Sequence, residues 1–167
     1  IRDSSVTGVQ TCALPILKAI LFFSVLFLIL DQVIKIFVSS KMIVNQTIIL
    51  IRNLFSITLI HNTGAAFSLF IGSRFLLIGI GVIALILLFI YVNTLEVIDD
   101  LDVFTFALLF GGILGNLVDR IVHGYVIDYL SLNFGSYYFP IFNIADICIV
   151  LAVILILWRT IKDSLWK

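Results

Sequence analysis

The 167-residue sequence predicts a membrane all-α protein, with four transmembrane helices and a small β-rich segment between spans one and two. Three observations carry that prediction. Hydrophobic residues make up 62% of the chain and charged residues 12%, whereas soluble domains lie near about 45–50% and about 25%. Four apolar stretches approach the ~20 residues that a helix needs to cross the hydrocarbon core. Finally, the stretch 111–146 packs Asn116, Asp119, Arg120, Asp128, Asn143 and Asp146 between strongly apolar flanks. An ionisable group in such a segment costs about 2.5–3.5 kcal/mol on insertion scales, so these residues are candidates for function.

The first sixteen residues, IRDSSVTGVQTCALPI, are polar and show no sustained helical or strand period. No basic stretch precedes an apolar one there, so they do not read as a signal peptide. They are expected to be a non-native extension of a single membrane domain over 17–167, and a protein beginning at Leu17 is expected to insert and work normally. Span one covers 17–38 and is interrupted by Asp31, Gln32 and Lys35. Asp31 and Lys35 are four apart, so they share a helix face and can pair. The aspartate stem is too short to snorkel far, which favours a polar wall facing a site over an interfacial anchor.

Residues 41–70 are rich in β-branched side chains in partly alternating runs, with Arg52-Asn53 between them, and predict short strands at the membrane surface. The run from His61 to Ser68, which includes Asn62 and Gly64, is built of small residues that let backbone approach a ligand. Span two, 75–92, is uninterrupted apolar sequence. Residues 93–102 carry Glu96, Asp99, Asp100 and Asp102 without Lys or Arg, and predict an exposed loop. Span three covers 101–120. Its Gly111 and Gly115 have the spacing that admits a neighbouring helix backbone, and Asn116 and Asp119 share one face. Span four, 140–158, opens at Pro140, a residue favoured in a first helical turn. Asn143 and Asp146 follow three apart on one face. Arg159, Lys162 and Lys167 with Trp158 and Trp166 read as an interfacial anchor.

Four alternating spans put the end of span one, the β-rich segment, the end of span three and the start of span four on one side. Every unusual polar group falls there, which supports a single site. Charge alone leans only weakly toward termini inside. Net charge is zero with no basic run, which argues against a nucleic-acid partner. Cys12 and Cys148 lack the paired spacing of a metal or redox site, and no HExxH or GxSxG motif is present. No metal is expected. A proton-coupled transporter would need polar residues deep in several spans, and span two has none. Two carboxylates need no further equipment: held close they share a proton, one acting as base on water and the other donating to a carbonyl oxygen. Asp128 and Asp146 are natural partners if 128–139 folds back. Asp119 competes, and spacing alone leaves the choice among the three open.

Five motifs in order, Asp31-Gln-x-x-Lys35, Asn62-Thr-Gly-Ala-Ala-Phe-Ser68, Gly111-Gly-x-x-Gly-Asn-x-x-Asp-Arg120, Val126-Ile-Asp-Tyr129 and Phe139-Pro-Ile-Phe-Asn-Ile-Ala-Asp146, resemble those of the lipoprotein signal peptidases, the bacterial type II signal peptidases. The resemblance runs from about Leu17 to the C-terminus. It implies an aspartic endopeptidase of the bacterial cytoplasmic membrane, multi-pass, with both termini cytoplasmic and the β-rich segment and active site near the extracytoplasmic face. The implied substrate is a diacylglyceryl-modified prolipoprotein, cut just before its lipidated cysteine. The family's catalytic pair falls on Asp128 and Asp146. Its supporting residues fall on Asp31, Lys35, Asn62, Gly64, Gly112, Asn116, Asp119, Arg120 and Asn143. No cofactor is implied; membrane lipid, a globomycin-type inhibitor and a monomeric state are. Tyr129 stands where the family commonly has Phe, and its added hydroxyl is expected near water.

Overall fold

The computed structural model describes residues 5–64, 70, 72–95, 97–135 and 137–165. Residues 65–68 of the small-residue run, together with Arg2, Glu96, Trp166 and Lys167, lie outside that set. Helix α1 runs over Ser5–Lys41, strand β1 over Thr47–Ile51 and β2 over Phe55–Asn62. Helix α2 (Arg74–Thr94) and helix α3 (Asp100–Val122) follow. Then come β3 (Val126–Phe134), the two-residue β4 (Tyr137–Tyr138) and α4 (Ile144–Leu165). All four helices contain a stretch long and apolar enough to cross a membrane.

Helix α3 is the axis of the bundle. Its most apolar window is 61% buried, against 17–22% in the other three, and α1, α2 and α4 each pack on it. Side chains such as Phe22, Phe37, Phe75 and Leu87 are instead exposed, as expected of surfaces that meet lipid rather than water. The close approach to α3 depends on glycine. A Cβ on Gly115 would stand 2.6 Å from an Asp31 carboxylate oxygen, and one on Gly112 would stand 2.6 Å from the Ala145 carbonyl. The small-residue spacing read from the sequence therefore serves α1, while the adjacent Gly112 admits α4.

The strands form one antiparallel sheet in the order β1-β2-β3-β4. It lies beyond the end of α1, where Leu59, Ile127 and Tyr129 pack against Val38 and Met42. The hairpin β1–β2 follows the sequence reading. The pairing of β2 with β3 was not foreseen, although Val126-Ile-Asp-Tyr-Leu carries the β-branched and aromatic bias of a strand.

Three expectations need correction. First, α1 begins at Ser5, well before the expected span and through Pro15. Adding turns to an existing helix avoids the cost of nucleation, so weak helix formers extend it. Second, Pro140 is not in α4. Phe142 exchanges backbone hydrogen bonds with Leu130 of β3 in both directions, at 2.8 and 3.0 Å, which keeps the chain extended until Asn143. Third, the acidic run is not simply an exposed loop. Asp99 caps α3 and forms a reciprocal capping box with Asp102, which is buried. Arg159 of α4 bonds both carboxylates. The Asp102 N–H, then Arg159, hold the Asp99 carboxyl below its ordinary range. Arg159 thus ties α4 to α3, whereas Lys162 lies over the Trp158 ring at 5.3 Å in the manner of the predicted anchor.

Candidate active site

The site is assembled in two tiers, and the lower one is ionic. Lys35 Nζ lies 2.8 Å from Asp31 and 2.8 Å from Asp119, with all three side chains at 1% exposure or less. Charges this deep persist only when paired and hydrogen-bonded, and each here has several partners. Asp31 accepts from the Ala145 N–H at 3.0 Å, while Asp119 accepts from the Ile127 N–H at 3.0 Å and from Gln32 at 2.9 Å. One cluster therefore fastens α1, α3, the start of β3 and the start of α4. Asp31 and Lys35, expected to form a polar wall facing a site, lie closed in beneath it where the three helices meet, with Lys35 bonded to Asn116.

Two asparagines connect this tier to the next. Asn116 Oδ1 accepts from Lys35 at 3.2 Å and from Asn143 Nδ2 at 3.1 Å. Its Nδ2 donates to Asp146 at 2.7 Å. Asn143 Nδ2 also donates to Asp128 at 2.6 Å. In addition, Asn143 and Asp146 bond each other reciprocally, N–H to carboxylate at 3.1 Å and N–H to amide oxygen at 3.0 Å. This is the arrangement of a capping box, which satisfies otherwise orphaned donors at a helix start. Asn62 Nδ2 completes the set by donating to the other Asp128 oxygen at 2.8 Å.

Asp128 and Asp146 thus hang from the same asparagine, one on a strand and one in the first turn of a helix. Asp128 is 2% exposed, while Asp146 is only partly buried. Burial first, then the charge of Asp146, push the Asp128 carboxyl up to about 7. A raised pKa on one carboxyl is what burial beside a second carboxylate is expected to produce. Asp119, the rival for the pair, is committed to Lys35, Gln32 and Ile127.

Arg120 stands at the rim. Its guanidinium donates to the Asn116 and Gly64 carbonyls at 3.3 and 3.1 Å, and Gly64 N–H in turn donates to Asn62 at 2.9 Å. The structure brings together every sequence-predicted site residue except Gly112, whose part is to let α4 in. Sequence reasoning missed two participants. Gln32 was noted only as an interruption, though its place one turn from Lys35 put it on the same side. Arg74, at the start of α2, was not singled out, yet it reaches the end of α3. The Tyr129 hydroxyl was misplaced: it is buried with no hydrogen-bond partner among the described residues, because β3 turns it into the core behind Asp128. No group of three or more metal-ligating side chains occurs among the described residues.

Residues 23–162 match the family model described as signal peptidase (SPase) II. The lipoprotein signal peptidase of Clostridium tetani is 34% identical over 141 residues, covering 84% of this chain and 90% of that protein. That of Halothermothrix orenii is 39% identical over 138 residues, covering 81% and 92%. Among solved structures, a bacterial membrane enzyme determined by the in meso method at 2.3 Å resolution superposes with a TM-score of 0.81 at 33% identity, over 87% of this chain and 88% of that one.

Proposed function

The chain belongs to the signal peptidase II family, and from that premise we propose that Asp128 and Asp146 are the catalytic pair with which it cuts lipid-modified prolipoproteins. It is a multi-pass bacterial membrane protein and an aspartic peptidase that removes signal peptides from prolipoproteins. The observation that carries the assignment is the shared Asn143, which holds both carboxylates from one side chain and its own N–H.

In the reaction, ionised Asp146, the more accessible of the two, takes a proton from water as the water oxygen attacks the scissile carbonyl carbon. Asp128 carries the shared proton and donates it to the carbonyl oxygen. Collapse of the tetrahedral intermediate breaks the C–N bond: the proton on Asp146 passes to the departing amine, and Asp128 takes back a proton from one of the two hydroxyls as the carboxyl C=O re-forms, which restores the pair. The apparent pKa values belong to the pair. Asn62, Asn116 and Asn143 orient the two acids, and the Asp31–Lys35–Asp119 cluster keeps the asparagines in place. Arg120 and Gly64 frame the entrance.

The substrate carries a diacylglyceryl group on the cysteine just after the cut. That lipid would keep the cysteine at the membrane surface, which agrees with a site at the helix ends rather than midway along them. We place this side outside the cytoplasm, with both termini inside. A monomer suffices, since one chain supplies every group of the site, and a globomycin-type cyclic peptide would inhibit by occupying it.

The test uses the full chain in detergent with lipidated and unlipidated precursor peptides, with and without globomycin. Cleavage before the lipidated cysteine, blocked by globomycin, is expected. Asp128→Asn and Asp146→Asn should each insert normally and lose at least about a thousandfold in rate, within the range of general acid–base catalysis. Either variant cutting within about tenfold of the parent protein would remove the pair from the mechanism.

A further inference from the structure

The two described ends of the connection between β2 and α2 are both fixed to the final turn of α3. At one end the Gly64 carbonyl accepts from Arg120 Nη2. At the other, Arg74 Nε donates to the Arg120 carbonyl at 2.8 Å and Arg74 Nη2 to the Ile121 carbonyl at 2.7 Å. Those carbonyls belong to the last turn of a helix and carry the negative end of its dipole; the Arg120 carbonyl, which also accepts from the Gly124 N–H at 3.2 Å, is shared between the backbone and Arg74. A guanidinium is suited to that place because its fork meets two acceptors at once. The same guanidinium covers Gly124, where an added Cβ would stand 3.4 Å from Nη1; Gly124 itself has φ +87° and leads the chain back into β3.

These contacts form a relay. Arg74 holds the backbone of Arg120, whose side chain holds Gly64 and the Asn116 carbonyl. Asn116 in turn holds Asp146. Gly64 bonds Asn62, which bonds Asp128. We propose that Arg74 is a positioning residue for the peptidase reaction: by clasping the end of α3 it sets Arg120 and the Gly64 rim at the spacing that admits the substrate. This rests on the aspartic-peptidase reading above. Arg74 reaches the acids only through other residues, so its loss should fall on substrate binding more than on the chemical step.

Cleavage of the lipidated precursor by the full chain is compared for the parent protein, Arg74→Ala and Arg74→Lys, well below each one's unfolding temperature. Arg74→Ala should raise KM about fivefold with kcat within about twofold, and Arg74→Lys, which keeps the charge but not the fork, should fall between. A KM equal to the parent's in Arg74→Ala, or a fall in kcat alone, would mean that the residue merely caps a helix. Should Arg74→Ala fail to fold, Arg74→Lys decides: an intermediate KM supports the proposal and an unchanged one overturns it. If the parent protein itself leaves the precursor uncut, the peptidase reading fails and the assignment of Arg74 falls with it, an outcome distinct from a parent that cuts and an Arg74→Ala with an unchanged KM.

Discussion

Asp128 has the most to say about chemistry, because opposing influences act on a single carboxyl. Burial and Asp146 raise its pKa to about 7, while the hydrogen bonds from Asn62 and Asn143 and the charge of Lys35 pull the other way. If the protonated form is the acid of the reaction, kcat/KM falls as pH rises through about 7. Asn62→Ala removes a donor that favours the ionised form, so the alkaline limb should move to higher pH. A shift of about one pH unit corresponds to a charge-assisted hydrogen bond of about 1.5 kcal/mol. Profiles of the two proteins measured side by side test this, and a limb displaced to lower pH would mean that Asp128 is not the proton donor. The same group is linked to stability. Its folded pKa lies above the ordinary 3.8, so the folded state holds a proton that the unfolded chain releases. That contribution is complete below 3.8 and is lost as pH rises through about 7.

At the scale of elements, the site depends on how closely α4 can lie against α3. Asn143 and Asp146 stand at the start of α4, and Ala145 between them is fully buried. A Cβ at Gly112 would stand 2.6 Å from the Ala145 carbonyl and 2.8 Å from an Ile149 side-chain carbon. A backbone carbonyl cannot turn aside as a side-chain end can, so α4 would have to move. Gly112→Ala should lower cleavage at least about tenfold and destabilise by about 1–3 kcal/mol. Gly79→Ala in α2, where a Cβ meets nothing within 4 Å, is the control and should change neither. Equal behaviour of the two variants in a cleavage assay and a thermal melt would show that the α3–α4 contact has slack. The spacing of Gly111 and Gly115 announced close packing, but nothing in a one-dimensional pattern says which helix comes to which glycine. The late start of α4 was hidden for a related reason. It follows from Phe142 bonding to Leu130 across the fold, a contact that local preference does not encode. Asp31, Lys35 and Asp119 were legible as polar residues in apolar surroundings, yet their role beneath the acids depends on three helices converging. Strand β3 is legible in its composition, since Val126, Ile127 and Tyr129 flank Asp128 with β-branched and aromatic residues.

For the whole molecule, function turns on which way it sits in the membrane. The end of α1, the entire sheet, the start of α2, the end of α3 and the start of α4 share one side, and the candidate site lies there. Positive charge gives a poor guide, since Arg159 at the opposite end is engaged by Asp99 and Asp102 and Arg74 and Arg120 on the site side are bonded to carbonyls. The lipidated substrate is the stronger argument: its diacylglyceryl cysteine ends up on the mature lipoprotein, so the site should open outside the cytoplasm. Asn45, exposed in the turn before β1 with φ 70°, and Asp100, exposed at the start of α3, report the two sides. In a protein whose own two cysteines are replaced by serine, Asn45→Cys should react with a membrane-impermeant maleimide in intact cells. Asp100→Cys should react only after permeabilisation. The reverse pattern would turn the bundle over and leave the acids facing a compartment in which a finished lipoprotein has no use for them.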